Sequence, residues 1–167
     1  MYLDVSRALK NPGDVFSFSQ AIPVEPQDIL GDEVLFEDVA IRGEYTGAGE
    51  SVRLTGRVAG VAKLPCARCV KRFDLPLEFP LNEVFVKESD ELNPDHRQLS
   101  GSVIDIGQLM LESLVLALPI RFLCDEDCKG LCHVCGADLS KGQCGCVEDQ
   151  DASGALRALS KLLSDND

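Results

Sequence analysis

The residues best suited to chemistry are eight cysteines, which fall into four close pairs: Cys66-x2-Cys69, Cys124-x3-Cys128, Cys132-x2-Cys135 and Cys144-x-Cys146. A tetrahedral zinc site takes four thiolates, usually from two such pairs, because each short turn can aim two sulfurs at one ion. Four pairs therefore have the arithmetic of two four-cysteine sites. They can combine in three ways. The favoured combination joins Cys132, Cys135, Cys144 and Cys146 locally, because the connecting stretch Gly136 to Gln143 is short and holds two glycines. Cys66, Cys69, Cys124 and Cys128 then form a second site. A single site of downstream cysteines, with Cys66 and Cys69 free, stays open. In Cys132-His133-Val134-Cys135-Gly136 the glycine follows the second ligand, where a turn of positive φ is expected.

All-sulfur ligation with no open position points to structural rather than catalytic zinc. Rubredoxin-like iron is the weaker metal reading, and reduced buried thiols or a redox couple is the metal-free one. Elsewhere there are few groups for catalysis. His96 lies in a polar stretch and His133 reads as a bystander within the third pair. Asp125-Glu126-Asp127 reads as a solvated charge run. There is no G-x-S-x-G, no phosphate-binding loop with its lysine, and no spaced Cys–His–acid set. No enzyme is expected, and no small-molecule substrate.

The charge distribution suggests a second kind of chemistry. The chain carries 16 basic and 28 acidic residues, a net charge of −12. Yet Ser51 to Phe73 holds Arg53, Arg57, Lys63, Arg68, Lys71 and Arg72 and no acid, so the remainder carries −12 − 6 = −18. Such an island could contact phosphates without reading sequence. Equally, it could be a solvated strand face paired with nearby acids. It has no interleaved aromatics for base stacking.

The elements that must position these groups read as α+β. From Val52 to Leu64 apolar residues alternate with Arg53, Thr55, Arg57 and Lys63. From Phe73 to Leu81 the alternation is strict. Period two predicts half-buried strands, joined as a long antiparallel hairpin with Pro65 to Arg72 at its tip. Pro76 and Pro80 share parity, which suits an edge strand. Upstream, Val15 to Phe18 and Val34 to Phe36 are short strand candidates, and Val39 to Tyr45 is a weaker one. Residues 88–101 read as a loop. Asp105 caps a helix running to about Leu118, apolar on most of its circumference and expected to pack deep. The organisation expected is a β-rich domain over 1–123, a Cys-rich module over 124–146 packed on the hairpin tip, and a tail over 147–167. The tail carries a short helix from about Ser153.

At 167 residues and 45 % hydrophobic content the chain can bury a core, mostly aliphatic given nine aromatics. The longest apolar run falls short of the roughly 20 residues a membrane span needs, and the N-terminus lacks a signal-peptide layout. A reducing, cytoplasmic setting is expected.

The order of Leu64-Pro65-Cys66-Ala67-Arg68-Cys69, a helix ending Leu116-Ala117-Leu118-Pro119, then Cys124-Asp125-Glu126-Asp127-Cys128-Lys129-Gly130-Leu131-Cys132-His133-Val134-Cys135-Gly136 and Cys144-Gly145-Cys146, resembles the bacterial YceD family. These are the large ribosomal RNA subunit accumulation proteins. The resemblance implies a non-enzymatic role in 23S ribosomal RNA accumulation or processing and large-subunit assembly. Cys66, Arg68 and Cys69 carry over most securely, and the six downstream cysteines form a metal-rich variant. Two contacts are compatible with that role: the basic island on ribosomal RNA or its precursor particle, or the acidic remainder on a basic large-subunit ribosomal protein. The rival from another class is a thiol or zinc redox sensor or metal-dependent interaction module.

Overall fold

The computed structural model describes residues 1–87 and 95–146. The C-terminal helix expected from about Ser153 and part of the polar segment after Lys87 lie outside the described residues. The fold is α+β and mostly strand. In chain order it comprises β1 (Tyr2–Asp4), α1 (Ser6–Lys10), β2 (Val15–Ala21), β3 (Gln27–Ile29), β4 (Asp32–Ala48), β5 (Ser51–Pro65), β6 (Arg72–Val86), β7 (Arg97–Gln98), β8 (Val103–Asp105) and α2 (Ile106–Ala117).

The main sheet runs β2-β4-β5-β6-β7, with β3 also on β4, and β1 pairs with β8 in a small second sheet. All pairings are antiparallel except β6 with β7, where Phe85 and Val86 face Arg97 and Gln98 in parallel. The polar segment read as a loop thus supplies one short strand. The central hairpin keeps continuous register from Ser51↔Val86 to Pro65↔Arg72, which makes it longer at both ends than the sequence pattern alone. Among the described residues β6 is an edge from Arg72 to Val84, and Pro76 and Pro80 fall on that stretch. Proline is tolerated there because an edge amide owes no ladder bond.

The two upstream candidates, Val34 to Phe36 and Val39 to Tyr45, are one strand interrupted by a β-bulge. Register shifts between Glu37↔Val61 and Ala40↔Ala59, and Asp38 takes up the extra residue at φ +52°. The bulge reverses inward parity, from Val34 and Phe36 before it to Val39, Ile41 and Tyr45 after it. Farther along, Gly43 pairs with Gly56 where the strands approach closely. A Cβ on Gly43 would stand 2.2 Å from the Thr55 carbonyl oxygen.

One face of the sheet is buried. Ile41, Leu54 and Leu64 belong to one buried cluster with Ile104, Ile106, Met110 and Leu114. The opposite face, including Arg53, Thr55 and Arg57, is exposed. Helix α2 begins at its Asp105 N-cap, whose carboxylate accepts from the Gln108 backbone N–H at 3.2 Å. It buries a single stripe of Ile106, Leu109, Met110 and Leu114 and leaves Leu116 84 % exposed. The helix is therefore less deeply packed than its composition predicts. Arg97 fastens it to the sheet, bridging Glu83 at 2.9 Å and Glu112 at 2.6 Å.

Candidate metal centres at the hairpin tip

The tip of the β5–β6 hairpin, residues 66–71, is a tight knuckle. The Cys66 N–H donates to the Lys71 carbonyl at 2.8 Å and the Val70 N–H to the Cys66 carbonyl at 2.8 Å. The segment from Cys132 repeats this pattern. There Cys132 N–H donates to the Ala137 carbonyl and Gly136 N–H to the Cys132 carbonyl, both at 2.8 Å. The residue after each second cysteine has positive φ, +72° at Gly136 as its identity predicts and +61° at Val70.

The cysteines gather as the favoured combination has them. Cys66, Cys69, Cys124 and Cys128 form one group and Cys132, Cys135, Cys144 and Cys146 the other, with the sulfurs of each group within 4.8 Å of one another. All eight are free thiols. In the first group Cys66 Sγ lies 3.8 Å from Cys128 Sγ, and Cys69 Sγ lies 3.6 Å from Cys124 Sγ. Four sulfurs each about 2.3 Å from a central zinc stand roughly 3.8 Å apart, so the donor set fits a four-thiolate metal site.

Electrostatics tell the same story. Burial pushes the Cys66 thiol up, but the backbone N–H groups of Cys124, Cys69 and Arg68 outweigh it and bring it down to about 6. Cys124 is pushed up to about 12, first by the Cys69 sulfur, then by burial and the other two sulfurs. In the second group the Cys135 and Val134 N–H groups bring Cys132 down to about 6. Cys146 goes up to about 12, led by the Cys135 sulfur. In each group one thiol ionises easily and another resists a further negative charge. A cation relieves that conflict.

The Cys-rich segment is bound to the tip through its backbone. The Ala67 N–H donates to the Phe122 carbonyl at 2.7 Å and the Leu131 N–H to the Arg68 carbonyl at 3.1 Å. Gly130, at φ +75°, sits so close that a Cβ would come within 2.8 Å of the Arg68 oxygen. Arg68 then donates its guanidinium to the carbonyls of Cys128 at 2.7 Å and Glu126 at 3.2 Å.

The basic island is largely engaged within the fold. Lys71 pairs with Asp138 at 2.5 Å, Arg72 with Glu33 at 2.8 Å, Lys63 with Glu37 at 2.7 Å and Arg57 with Glu78 at 2.7 Å. Of the other two, Arg68 bonds carbonyls instead, and Arg53 has no ion pair or side-chain hydrogen bond among the described residues. Arg53, Arg57 and Lys63 share the outer sheet face, as parity predicts. Sequence reasoning missed Asp138, which accepts from both Lys71 and the Ser140 N–H, and Arg42, which lies directly across from Arg57. Asp138 has no local signature, since its partner is 67 residues away. Arg42 stands outside the island because the island was bounded by sequence rather than by strand neighbours.

A sequence model described as large ribosomal RNA subunit accumulation protein YceD matches residues 54–163. An uncharacterized protein of Mycobacterium tuberculosis is 28 % identical over 149 residues, covering 84 % of this chain and 71 % of its own length. An uncharacterized protein of Mycobacterium leprae is 23 % identical over 146 residues, 81 % of this chain and 66 % of its own. The Arabidopsis thaliana large ribosomal RNA subunit accumulation protein YCED homolog 1, chloroplastic, is 37 % identical over 51 residues, 30 % of this chain and 16 % of its own. No solved structure matches. The matched stretch runs from within β5 through the hairpin tip, α2 and all eight cysteines, and on that match the chain belongs to the YceD family of large ribosomal RNA subunit accumulation proteins.

Proposed function

We propose that this chain is a non-enzymatic, cytoplasmic factor for 23S ribosomal RNA accumulation and large-subunit assembly, with structural zinc in both cysteine groups. Its working contact is made by the acidic surface on a basic large-subunit ribosomal protein. The observation that carries this reading is the internal neutralisation of the island. Lys63, Lys71, Arg72 and Arg57 each face a carboxylate and Arg68 faces carbonyls. The field outside the molecule is therefore set by a net charge of −12.

A second reading, direct contact with ribosomal RNA, is favoured by one observation. Arg42 and Arg57 are like charges opposed across two strands of the open face, with Arg53 on the same face. Such pairs are unfavourable; Glu78 answers Arg57, whereas Arg42 has no ion pair among the described residues. The tests are UV crosslinking of the tagged chain in growing cells, which reads attached RNA, and affinity capture without crosslinking, which reads bound protein. The expected result is a basic large-subunit ribosomal protein that is shed as ionic strength rises, with 23S crosslinks at background. Discrete 23S positions that vanish in an Arg53→Ser, Arg57→Ser chain would move the contact to RNA.

A further inference from the structure

The two edges of the main sheet are unlike. On β6 the outer side carries Pro76 and Pro80 together with Asp74 and Glu78, which are the devices that keep an edge from pairing. The other edge, β2, reads Val15-Phe16-Ser17-Phe18-Ser19-Gln20-Ala21, without a proline or a charge. It pairs with β4 along its whole length and, among the described residues, with nothing on its other side. Its inward residues are already anchored, since Phe16 stacks on Tyr45 with ring centroids 5.5 Å apart and Phe18 lies 6.1 Å from the same ring. The backbone donors and acceptors on its open side are thus held in fixed positions, ready for another strand.

The charge around this edge is mainly acidic. From Asn11 to Ile41 the chain holds seven acids, Asp14, Glu25, Asp28, Asp32, Glu33, Glu37 and Asp38, and no lysine or arginine. That stretch contains β2, β3 and the first part of β4. Arg72 takes Glu33 and Lys63 takes Glu37. Asp14, Glu25, Asp28 and Asp32 have no ion pair among the described residues. Asp14 directly precedes β2, and Glu25 and Asp28 follow it within a few residues. At mid-strand, Glu44 sits across from Ser17 and Arg42 across from Ser19, so the acids that draw a basic segment lie at the two ends of β2 and at Glu44.

We propose that β2 is a docking edge for an extended, lysine- or arginine-rich segment of a partner protein, which adds as a further strand beside it. The backbone ladder supplies the affinity, and the unpaired acids select a basic segment and speed its arrival. A second copy of this chain is the wrong occupant electrostatically, because each copy carries −12. The proposal rests on the ribosomal-protein reading above and specifies where and how that partner is held.

The experiment uses the full, zinc-loaded chain and two synthetic peptides of equal length and charge, one alternating lysine and valine, the other lysine and proline with every lysine backbone nitrogen methylated. The second matches the first in charge but has no backbone donors along the strand. Hydrogen exchange is followed at the amides of Val15 to Ala21 that do not bond to β4. The expected result is roughly tenfold slower exchange there with the lysine–valine peptide and no change with the lysine–proline one. A Ser17→Lys, Ser19→Lys chain, altered only at exposed positions, should bind the first peptide about tenfold more weakly. Equal effects from the two peptides, or no protection in β2, would overturn the proposal. So would slow exchange in the chain alone with a dimer mass in sedimentation, which makes the occupant a second copy, and so would protection by a 23S fragment in place of the peptide. If the double variant captures the ribosomal protein from cells as well as the parent does, the edge is wrong and the partner reading stands. If the parent captures no such protein, it is the partner reading that fails.

Discussion

Val70 and Gly136 occupy the same place in two congruent knuckles, but only one of them is suited to it. A β-branched residue in the left-handed region costs of order 1–3 kcal/mol, and Val70 stands there at φ +61°, a residue 67 % exposed. Val70→Gly should raise the thermal midpoint, with a gain of about 1 kcal/mol after glycine's extra unfolded-state entropy is deducted. A lowered midpoint would show that the valine side chain holds the tip together. Arg68 makes a separate contribution, because its two bonds to carbonyls are charge-assisted and worth about 1.5–3 kcal/mol together. Arg68→Ser should speed metal release from the Cys66 group and leave the Cys132 group unchanged, read as one accelerated phase of two against a chromophoric chelator. Farther off, Glu112 is held below its ordinary value of 4.5, first by the Arg97 guanidinium and then by the Gln108 amide. A depressed carboxylate stabilises the fold above its unfolded value and loses that contribution as pH falls through the folded one. The difference in urea midpoint between the parent and Glu112→Gln should therefore shrink below about pH 4.5. A difference constant from pH 6 to 3 would remove Glu112 from the account.

Among the elements, the hairpin was the most legible in the sequence. Strict alternation from Phe73 to Leu81 survives because nothing interrupts the β5–β6 register. Strand β4 was legible only in pieces, because the bulge at Asp38 reverses which parity faces the core, and a period-two pattern cannot be followed through it. The segments β1, α1, β3, β7 and β8 are of two to five residues, too short for any periodicity to show. The grouping of cysteines could be favoured from loop length alone, whereas the clamp of Arg68 onto backbone carbonyls leaves no mark on residue types. At Gly43 the sequence hides a tight constraint, since strand glycines usually read as weak points. Gly43→Ala would force backbone apart from backbone at Thr55. It should cost about 2–4 kcal/mol in chemical denaturation, against almost nothing for Gly145→Ala, where a Cβ meets open space.

For the whole molecule, two different forces hold its two parts. The sheet, α1 and α2 share one aliphatic core, while among the described residues the tip cluster has only Cys66, Cys69 and Cys128 buried beside Phe73 and Leu123. Under the zinc reading proposed above, ligation substitutes for the missing apolar area. Chelation should thus release amide protection across residues 120–146 while β4, β5 and α2 keep theirs, as read by hydrogen exchange. Loss of the sheet in the same step would mean that the metal holds the entire fold. The prolines of β6 matter on this scale too. A sheet with two open edges is a bifunctional monomer and can polymerise without limit. With one edge terminated at Pro76 and Pro80, the molecule is monofunctional: whatever strand β2 accepts, growth ends after that single addition, and concentration alone cannot drive it into a fibre.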